Sequence, residues 1–271
     1  MLYEKPISEG ISYEGDSLHY RHMVTRGLSL NAHSLHTHGI FEIIYFISGD
    51  ATHVVEDRKY KLRRGDLILV RPMHYHFIQI DGDADYERYN LLFDTDELGI
   101  DIGTLIPADI DVISTAQGSD IEQILERCDR FYKGLGEEQF AKVLPHMICE
   151  LFFSASLAAE SRSEESLPVS PLISAALRIM NESLTKDIQI GEIAERLFVS
   201  ESYLFRLFKQ ELHRSPKKYL NNKRLLLARK KIKEGKKPSA VCEECGFGDY
   251  TGFYRSYVAL FGHSPAEDKP Q

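Results

Sequence analysis

Three histidines and a glutamate carry the residue types best suited to coordination chemistry in this chain of 271 residues. In the stretch HTHGIFEIIYFISG, His36, His38, Glu42 and Gly49 stand at the spacing H-x-H-x3-E-x6-G, and downstream GDLILVRPMHYH ends on His76. Two imidazoles, a carboxylate and a third imidazole form a donor set that suits Fe, Mn, Ni or Zn. In a strand, positions 36, 38 and 42 share one face, and Ile44 and Phe46 extend that face as apolar lining. The same six residues also read as a metal-free pocket, and this is the preferred reading. His36, His38, Glu42 and His76 then hydrogen-bond a small organic molecule, a sugar among the candidates, against Ile44 and Phe46. A second cysteine pair does not accompany the C-x-x-C of Cys242 and Cys245, so buried thiols are expected there rather than zinc or redox chemistry.

A different set of residues points to nucleic acid. Laying IAERLFVSESYLFRLFKQELHRSP (Ile193 to Pro216) over VCEECGFGDYTGFYRSYVALFGHSP (Val241 to Pro265), with one residue inserted before Asp249, pairs Leu204 with Phe253, Arg206 with Arg255 and Pro216 with Pro265. Each copy reads as a short helix, a tight turn and a longer helix, the form of a helix-turn-helix. In the first copy Ser200 caps the long helix. Leu204, Phe208 and Leu212 recur every four residues as a core face, leaving Ser202, Phe205, Arg206 and Lys209 outward. In the second, Asp249 is the cap, Phe253, Tyr257 and Phe261 face inward, and Tyr250, Thr251, Tyr254 and Arg255 face outward. An exposed Arg can bridge guanine O6 and N7, and Phe205 can meet a thymine methyl. Gly246 is placed to supply the positive φ of a tight corner.

Between the copies, Lys217 to Lys237 holds ten Lys and Arg and one acid, Glu234. So one-sided a run favours phosphate contact, with Lys223 and Arg224 among the contacts. One helix from Pro216 to Glu234, about 19 residues, spans about 28 Å. That length sets two recognition helices into successive major grooves, about 34 Å apart.

The rest of the chain must hold these two groups of residues. Net charge is −8, but from Leu167 onward 18 Lys and Arg face 12 Asp and Glu, so residues 1–166 carry −14 and the remainder +6. A basic C-terminal part joined to an acidic remainder assigns phosphate contact to the former alone. Composition is globular, with 43% hydrophobic and 27% charged residues, and the length suits two domains. Four cysteines do not make a disulfide framework, and a basic n-region followed by an apolar h-region is absent after Met1, so a cytoplasmic protein without membrane contact is expected.

Short β-branched and aromatic segments fill the first part: Phe41–Ile47, Ala51–Glu56, Asp66–Val70, His76–Ile80 and Tyr86–Phe93, separated by Gly and Asp turns. They predict an antiparallel sandwich or barrel over about 1–115. Ile121, Ile124, Leu125, Cys128 and Phe131 then mark an amphipathic helix capped by Ser119 and ended at Gly134 and Gly136. Glu137 to about Ala159 repeats the pattern, making a helical hairpin that covers the barrel and offers a two-fold dimer interface. Residues 161–169 read as a linker, and Ser170-Pro171 opens the helix that packs on the first helix-turn-helix.

Read together, these motifs resemble the AraC/XylS family of transcriptional regulators. The resemblance rests on the GF-x-D-x-x-x-F-x-R pattern from Gly246 to Arg255, on Ser264-Pro265, and on the likeness of the His36–Gly49 and Gly65–His76 stretches to the two cupin motifs. It implies an α+β multidomain chain. Residues 1–160 form a cupin-like effector-sensing and dimerisation domain, 161–169 a linker, and 170–271 an all-α domain with two helix-turn-helix units. It implies a non-enzymatic, sequence-specific regulator, taken as an activator, that partners promoter DNA, a small effector, a second copy of itself and RNA polymerase. The position-by-position match puts Ser202, Phe205, Arg206, Tyr250, Thr251, Tyr254 and Arg255 in the groove. The alternative is a metal-dependent cupin enzyme fused to a DNA-binding domain. The sequence departs from the pattern at His74, where the second cupin motif carries Gly. It departs again at Gly252 and Tyr257-Val258-Ala259, where the family commonly has Tyr and a Phe-Lys-Lys run.

Overall fold

The computed structural model describes residues 7–27, 35–95, 98–159 and 167–269. Its contacts divide the chain into two compact units, residues 1–34 with 40–167, and residues 168–271, with which the segment Leu35–Gly39 groups. The division falls within the stretch read as a linker. Residues 161–166 of that stretch lie outside the described residues, whereas Leu167–Pro168 form a short strand.

In the first unit two sheets face each other. Strands β1 (Ile7–Glu14), β2 (Leu18–Arg26), β3 (Phe41–Ser48), β6 (Asp66–Val70), β8 (Tyr86–Phe93) and β9 (Val112–Ser114) form one, in the order β1-β2-β8-β3-β6-β9. Strands β4 (Ala51–Val55), β5 (Arg58–Lys61), β7 (His76–Ile80) and β10 (Leu167–Pro168) form the other, in the order β10-β5-β4-β7. Alternation along each strand sorts side chains to two cores. Ile43, Tyr45, Leu67, Tyr89, Leu91 and Phe93 pack outward against α2 (Asp120–Leu135) and α3 (Glu137–Ala159). Ile44, Phe46, Ile68, Val70 and Tyr86 pack inward against Val55, Tyr60, Ile78 and Ile80 of the smaller sheet.

The helical hairpin follows the expected signals: Ser119 Oγ accepts from Glu122 N at 3.3 Å, and Gly136 ends α2 with φ 77°. Glu122 completes no capping box. Its carboxylate accepts from Gly118 N and from the Arg64 guanidinium, both at 2.6 Å. By length and composition α3 can cross a membrane, yet Phe140, Leu144, Ile148, Leu151 and Phe152 lie within the sheet-packed core. The sequence reading did not find β1, β2, β5, β9 or the one-turn α1 (Ile102–Leu105). In β1, Ser8, Glu9, Gly10 and Ser12 leave no alternation of apolar residues, because most of the strand is exposed.

Among the described residues the second unit has six helices: α4 (Pro171–Glu182), α5 (Ile190–Arg196), α6 (Glu201–Leu212), α7 (Pro216–Lys233), α8 (Pro238–Glu244) and α9 (Tyr250–Phe261). Ser170, Ser200, Ser215 and Asp249 each accept a backbone N–H at a helix start, and Pro171, Pro216 and Pro238 stand in the first turn where no donor is needed. Central to the unit is α7, with ten buried residues among its 18. Around it, Leu225, Ala228 and Ile232 meet Val241, Cys242, Cys245, Phe253 and Tyr257. Both cysteines of the C-x-x-C are therefore core residues, and burial pushes the Cys245 thiol up to about 11.

Candidate nucleic-acid interface and effector pocket

The two longer helices of the doubled motif separate cleanly into faces. On α6, Leu204, Phe208 and Leu212 are buried, while Ser202, Phe205, Arg206 and Lys209 are exposed. The Arg206 guanidinium lies 5.2 Å over the ring of Tyr203, one turn earlier. On α9, Phe253 and Tyr257 are buried, while Tyr250, Thr251, Tyr254 and Arg255 are exposed. Leaving two large aromatic side chains on each helix in water has a cost that a surface meeting only solvent does not repay. Phe205 is 48% and Tyr254 43% exposed, each beside an arginine, residue types that can contact base edges.

Corners before these helices use the left-handed region. Gly246 has φ 72° and Phe198, its counterpart in the first copy, has φ 56°. The second unit is locked from the chain's last turn: Arg229 holds Asp268 through two contacts at 3.0 and 3.2 Å, and Tyr257 donates to the same carboxylate at 2.5 Å.

The basic connector corrects the sequence reading. Lys223 and Arg224 are each 5% exposed and turn into the unit. Lys223 Nζ donates to Asn181 Oδ1 at 2.9 Å and lies 5.3 Å from the Tyr219 ring centre. Arg224 donates through Nε to the Leu184 carbonyl at 3.1 Å and through Nη2 to that of Lys186. Burial is also what lowers the Arg224 pKa. Charge counting missed this because α7 is a core helix: Lys223 reaches the Asn181 side chain and Arg224 two loop carbonyls. Lys231 and Lys236 pair with Glu244 at 2.6 and 2.7 Å, and Arg229 is held by Asp268. The exposed cations of this stretch are Lys217, Lys218, Lys230, Lys233, Lys236 and Lys237, of which Lys236 is the one paired with Glu244.

In the first unit, the inner face of the larger sheet carries the candidate pocket. Ile44 and Phe46 belong to the apolar cluster on that face. Glu42, 7% exposed, accepts from Asn90 Nδ2 at 2.5 Å through one oxygen and stands 2.8 Å from His76 Nε2 through the other. His76 Nδ1 lies 3.1 Å from the His74 carbonyl. The contact to that carbonyl sets the ring with Nε2 toward Glu42. His36 and His38 precede β3 instead of lying on it, so the shared-strand argument does not apply to them. Even so, one ligand atom from each of His36, His38, Glu42 and His76 lies within 4.8 Å of every other. Met73, at φ 67°, makes the turn into His74.

Three inner-face residues escaped the sequence reading. Asn90 orients Glu42. His53 is 1% exposed, with its ring 6.0 Å from that of His76. Arg88 follows Tyr86 on the same face of β8. Parity in β4 and β8 was the available signal, since His53 and Arg88 alternate with outward residues as Ile44 does with Tyr45.

A family model described as the AraC-like ligand binding domain matches residues 24–198, and one described as a helix-turn-helix domain matches residues 193–269. Over 245 residues the chain is 23% identical to the HTH-type transcriptional activator RhaS of Pectobacterium carotovorum, covering 85% of each protein. It is 34% identical over 87 residues to the probable transcriptional regulator LumQ of Photobacterium leiognathi, a match covering 32% of this chain and 35% of that protein. Among solved structures, ToxT from Vibrio cholerae aligns over 93% of this chain and 97% of its own with 12% identity and a TM-score of 0.38.

Proposed function

Because the chain belongs to the AraC family of transcriptional regulators, we propose that it binds promoter DNA through α6 and α9 under the control of a small molecule held between the two sheets. One observation carries the reading: each recognition helix buries a stripe of apolar residues and presents an arginine with aromatic neighbours on the opposite face. Arg206 and Arg255 read base edges, Ser202, Phe205, Tyr250, Thr251 and Tyr254 shape the contact, and Lys209 with the exposed lysines of α7 holds the phosphates. The name of the relative RhaS describes an activator, and activation is the output proposed here, with RNA polymerase as its recipient. A second copy would pack on α3, where Phe153 and Leu157 are 53% and 73% exposed. Such a protein works in the cytoplasm, where Cys128, Cys242 and Cys245 stay reduced.

The test is fluorescence anisotropy of the full chain with duplexes selected from a random pool, titrated across salt concentration. A steep loss of affinity with salt, and retained preference for the selected duplexes, is the expected result. Absence of DNA binding at low salt would overturn the reading. A thermal-shift screen of sugars and other metabolites tests effector control, and the expected hit raises the melting temperature.

A metal reading of the same pocket is favoured by the support around its ligands. His36, His38, Glu42 and His76 would hold a divalent ion, with the His74 carbonyl fixing the His76 ring and Asn90 fixing Glu42, the outer contacts that metal ligands ordinarily have. Opposite ligands on one ion sit about 4.2 Å apart at bond lengths near 2.1 Å, so this set needs only a slight closing movement. Bound there, the ion would act as a Lewis acid toward an oxygen ligand. Elemental analysis of the purified protein checks this reading: a stoichiometric metal lost in the His36→Ala, His38→Ala double variant supports it, and a metal-free wild type removes it.

A further inference from the structure

Resting on the reading of the inter-sheet space as an effector pocket, we propose that its ligand is a small monocarboxylic acid with an apolar body, anchored by Arg88. On the inner face of β8 this guanidinium stands between Tyr86 and Asn90, with Phe46 of β3 and Met23 of β2 as its register partners. Its Nη1 donates to Thr25 Oγ1 at 2.7 Å, and its carbon lies 4.7 Å over the Tyr86 ring. Thr25, 3% exposed, is itself held by Ser8 at 3.1 Å.

Most arginines of this unit meet a carboxylate. Arg21 is paired with Glu14, Arg26 with Asp85, Arg58 and Arg71 with Asp111, Arg64 with Glu122 and Arg127 with Glu150. Among the described residues Arg88 has no such ion pair, although it is half-buried and burial depresses its pKa. A guanidinium offers five N–H donors in a planar fork, of which Thr25 takes one. Removing it from water without a counter-charge is costly, and the cost falls when an anion arrives. Glu42, on the same face, adds a favourable field at Arg88 that burial outweighs, while its close contacts are to Asn90 and His76.

The wall fixes the class further. Phe46 and Tyr86 pair at 5.9 Å, and Ile44, Val55 and Ile78 continue the surface, so the body beyond the acid group is apolar. One unmatched positive charge calls for one negative charge, which favours a carboxylate over a phosphate dianion.

Full-length protein is tested by thermal shift and calorimetry with acid–amide pairs: benzoate and benzamide, phenylacetate and phenylacetamide, hexanoate and hexanamide. Neutral sugars form a separate arm. The expected result is binding of at least one acid more than about 10-fold tighter than its amide, with that preference lost in Arg88→Met and weakened in Arg88→Lys. The amide comparison on wild type stands even where a variant folds poorly. Acid and amide binding equally, or acid preference surviving Arg88→Met, overturns the inference. Binding of neutral sugars alone overturns it while leaving the pocket reading in place, and no binding by any compound counts against both.

Discussion

Phe198 and Gly246 occupy the same place in the two copies of the doubled motif, and both take the left-handed backbone, with φ of 56° and 72°. Glycine adopts this region without penalty, whereas any other residue is strained there by roughly 1 kcal/mol. The copies differ in surroundings too. A methyl group added to Gly246 would stand 2.7 Å from the Lys186 carbonyl oxygen and 3.1 Å from the Arg224 guanidinium. The Phe198 side chain is 96% exposed. Gly246→Ala should therefore cost about 2 kcal/mol or more, strain and collision together, whereas Phe198→Gly should be neutral or stabilising by up to about 1 kcal/mol. Urea unfolding of the full-length variants, followed on the helical signal, reads both.

Arg224 is predicted to be a stability residue. Arg224→Met removes a donor from two carbonyls beside Gly246, those of Leu184 and of Lys186, the latter keeping Ile188 N at 2.8 Å. The expected loss is about 1–3 kcal/mol of stability, with specific DNA affinity unchanged at temperatures where the variant is folded. An equal loss of affinity at full folding would return Arg224 to the phosphate-contacting set.

Arg206→Ala and Lys218→Ala should separate reading from anchoring. The first should lower discrimination between selected and random duplexes by about 1–3 kcal/mol. The second should weaken both alike and reduce the salt slope by about one. Parallel anisotropy titrations at several salt concentrations decide the matter, and indistinguishable losses would count against the assignment.

Much of this was legible from the chain itself. Periodicity placed α6 and α9, their caps Ser200 and Asp249 and their outward residues, because a short amphipathic helix has one face to bury and records it every three or four positions. The turn at Gly246 was legible because few other residues fit there. What charge counting could not show is where a side chain's far end goes: Lys223 and Arg224 look like their exposed neighbours Lys217 and Lys218 until α7 is seen at the centre of its unit. Strand β1 was hidden for the opposite reason, since an edge strand with little buried surface needs no apolar alternation. His36 and His38 come near Glu42 and His76 by chain path and not by strand parity, so their proximity was expected from an argument the structure does not support.

His22 should make the first unit sensitive to pH. Its Nδ1 lies 2.6 Å from Asp129 of α2 and its Nε2 3.0 Å from Glu87, while Tyr20 donates to Asp129 at 2.6 Å and the Tyr89 ring stacks on the imidazole at 3.9 Å. Burial works against the charged ring, but Asp129 and Glu87 outweigh it and hold the His22 pKa above its ordinary 6.5. A raised folded value means that the protonated ring contributes fully below pH 6.5, and that this contribution fades as pH climbs through the folded pKa. Asp129 is depressed below 3.8, net of a burial effect that opposes His22 and Tyr20, so its share is present above that value and is lost as acid protonates it. His22→Gln should therefore lower the melting temperature most in mildly acidic buffer and progressively less toward alkaline pH. A pH-independent difference would show that His22 acts by shape alone.

If α6 reads the operator as proposed, its division into a buried stripe of Leu204, Phe208 and Leu212 and an outward set of Ser202, Phe205, Arg206 and Lys209 makes address and scaffold separately editable. Because the outward positions contribute little to the folded core, they can be randomised as a library while the stripe is held constant. The protein can then be retargeted to a new operator without first being restabilised.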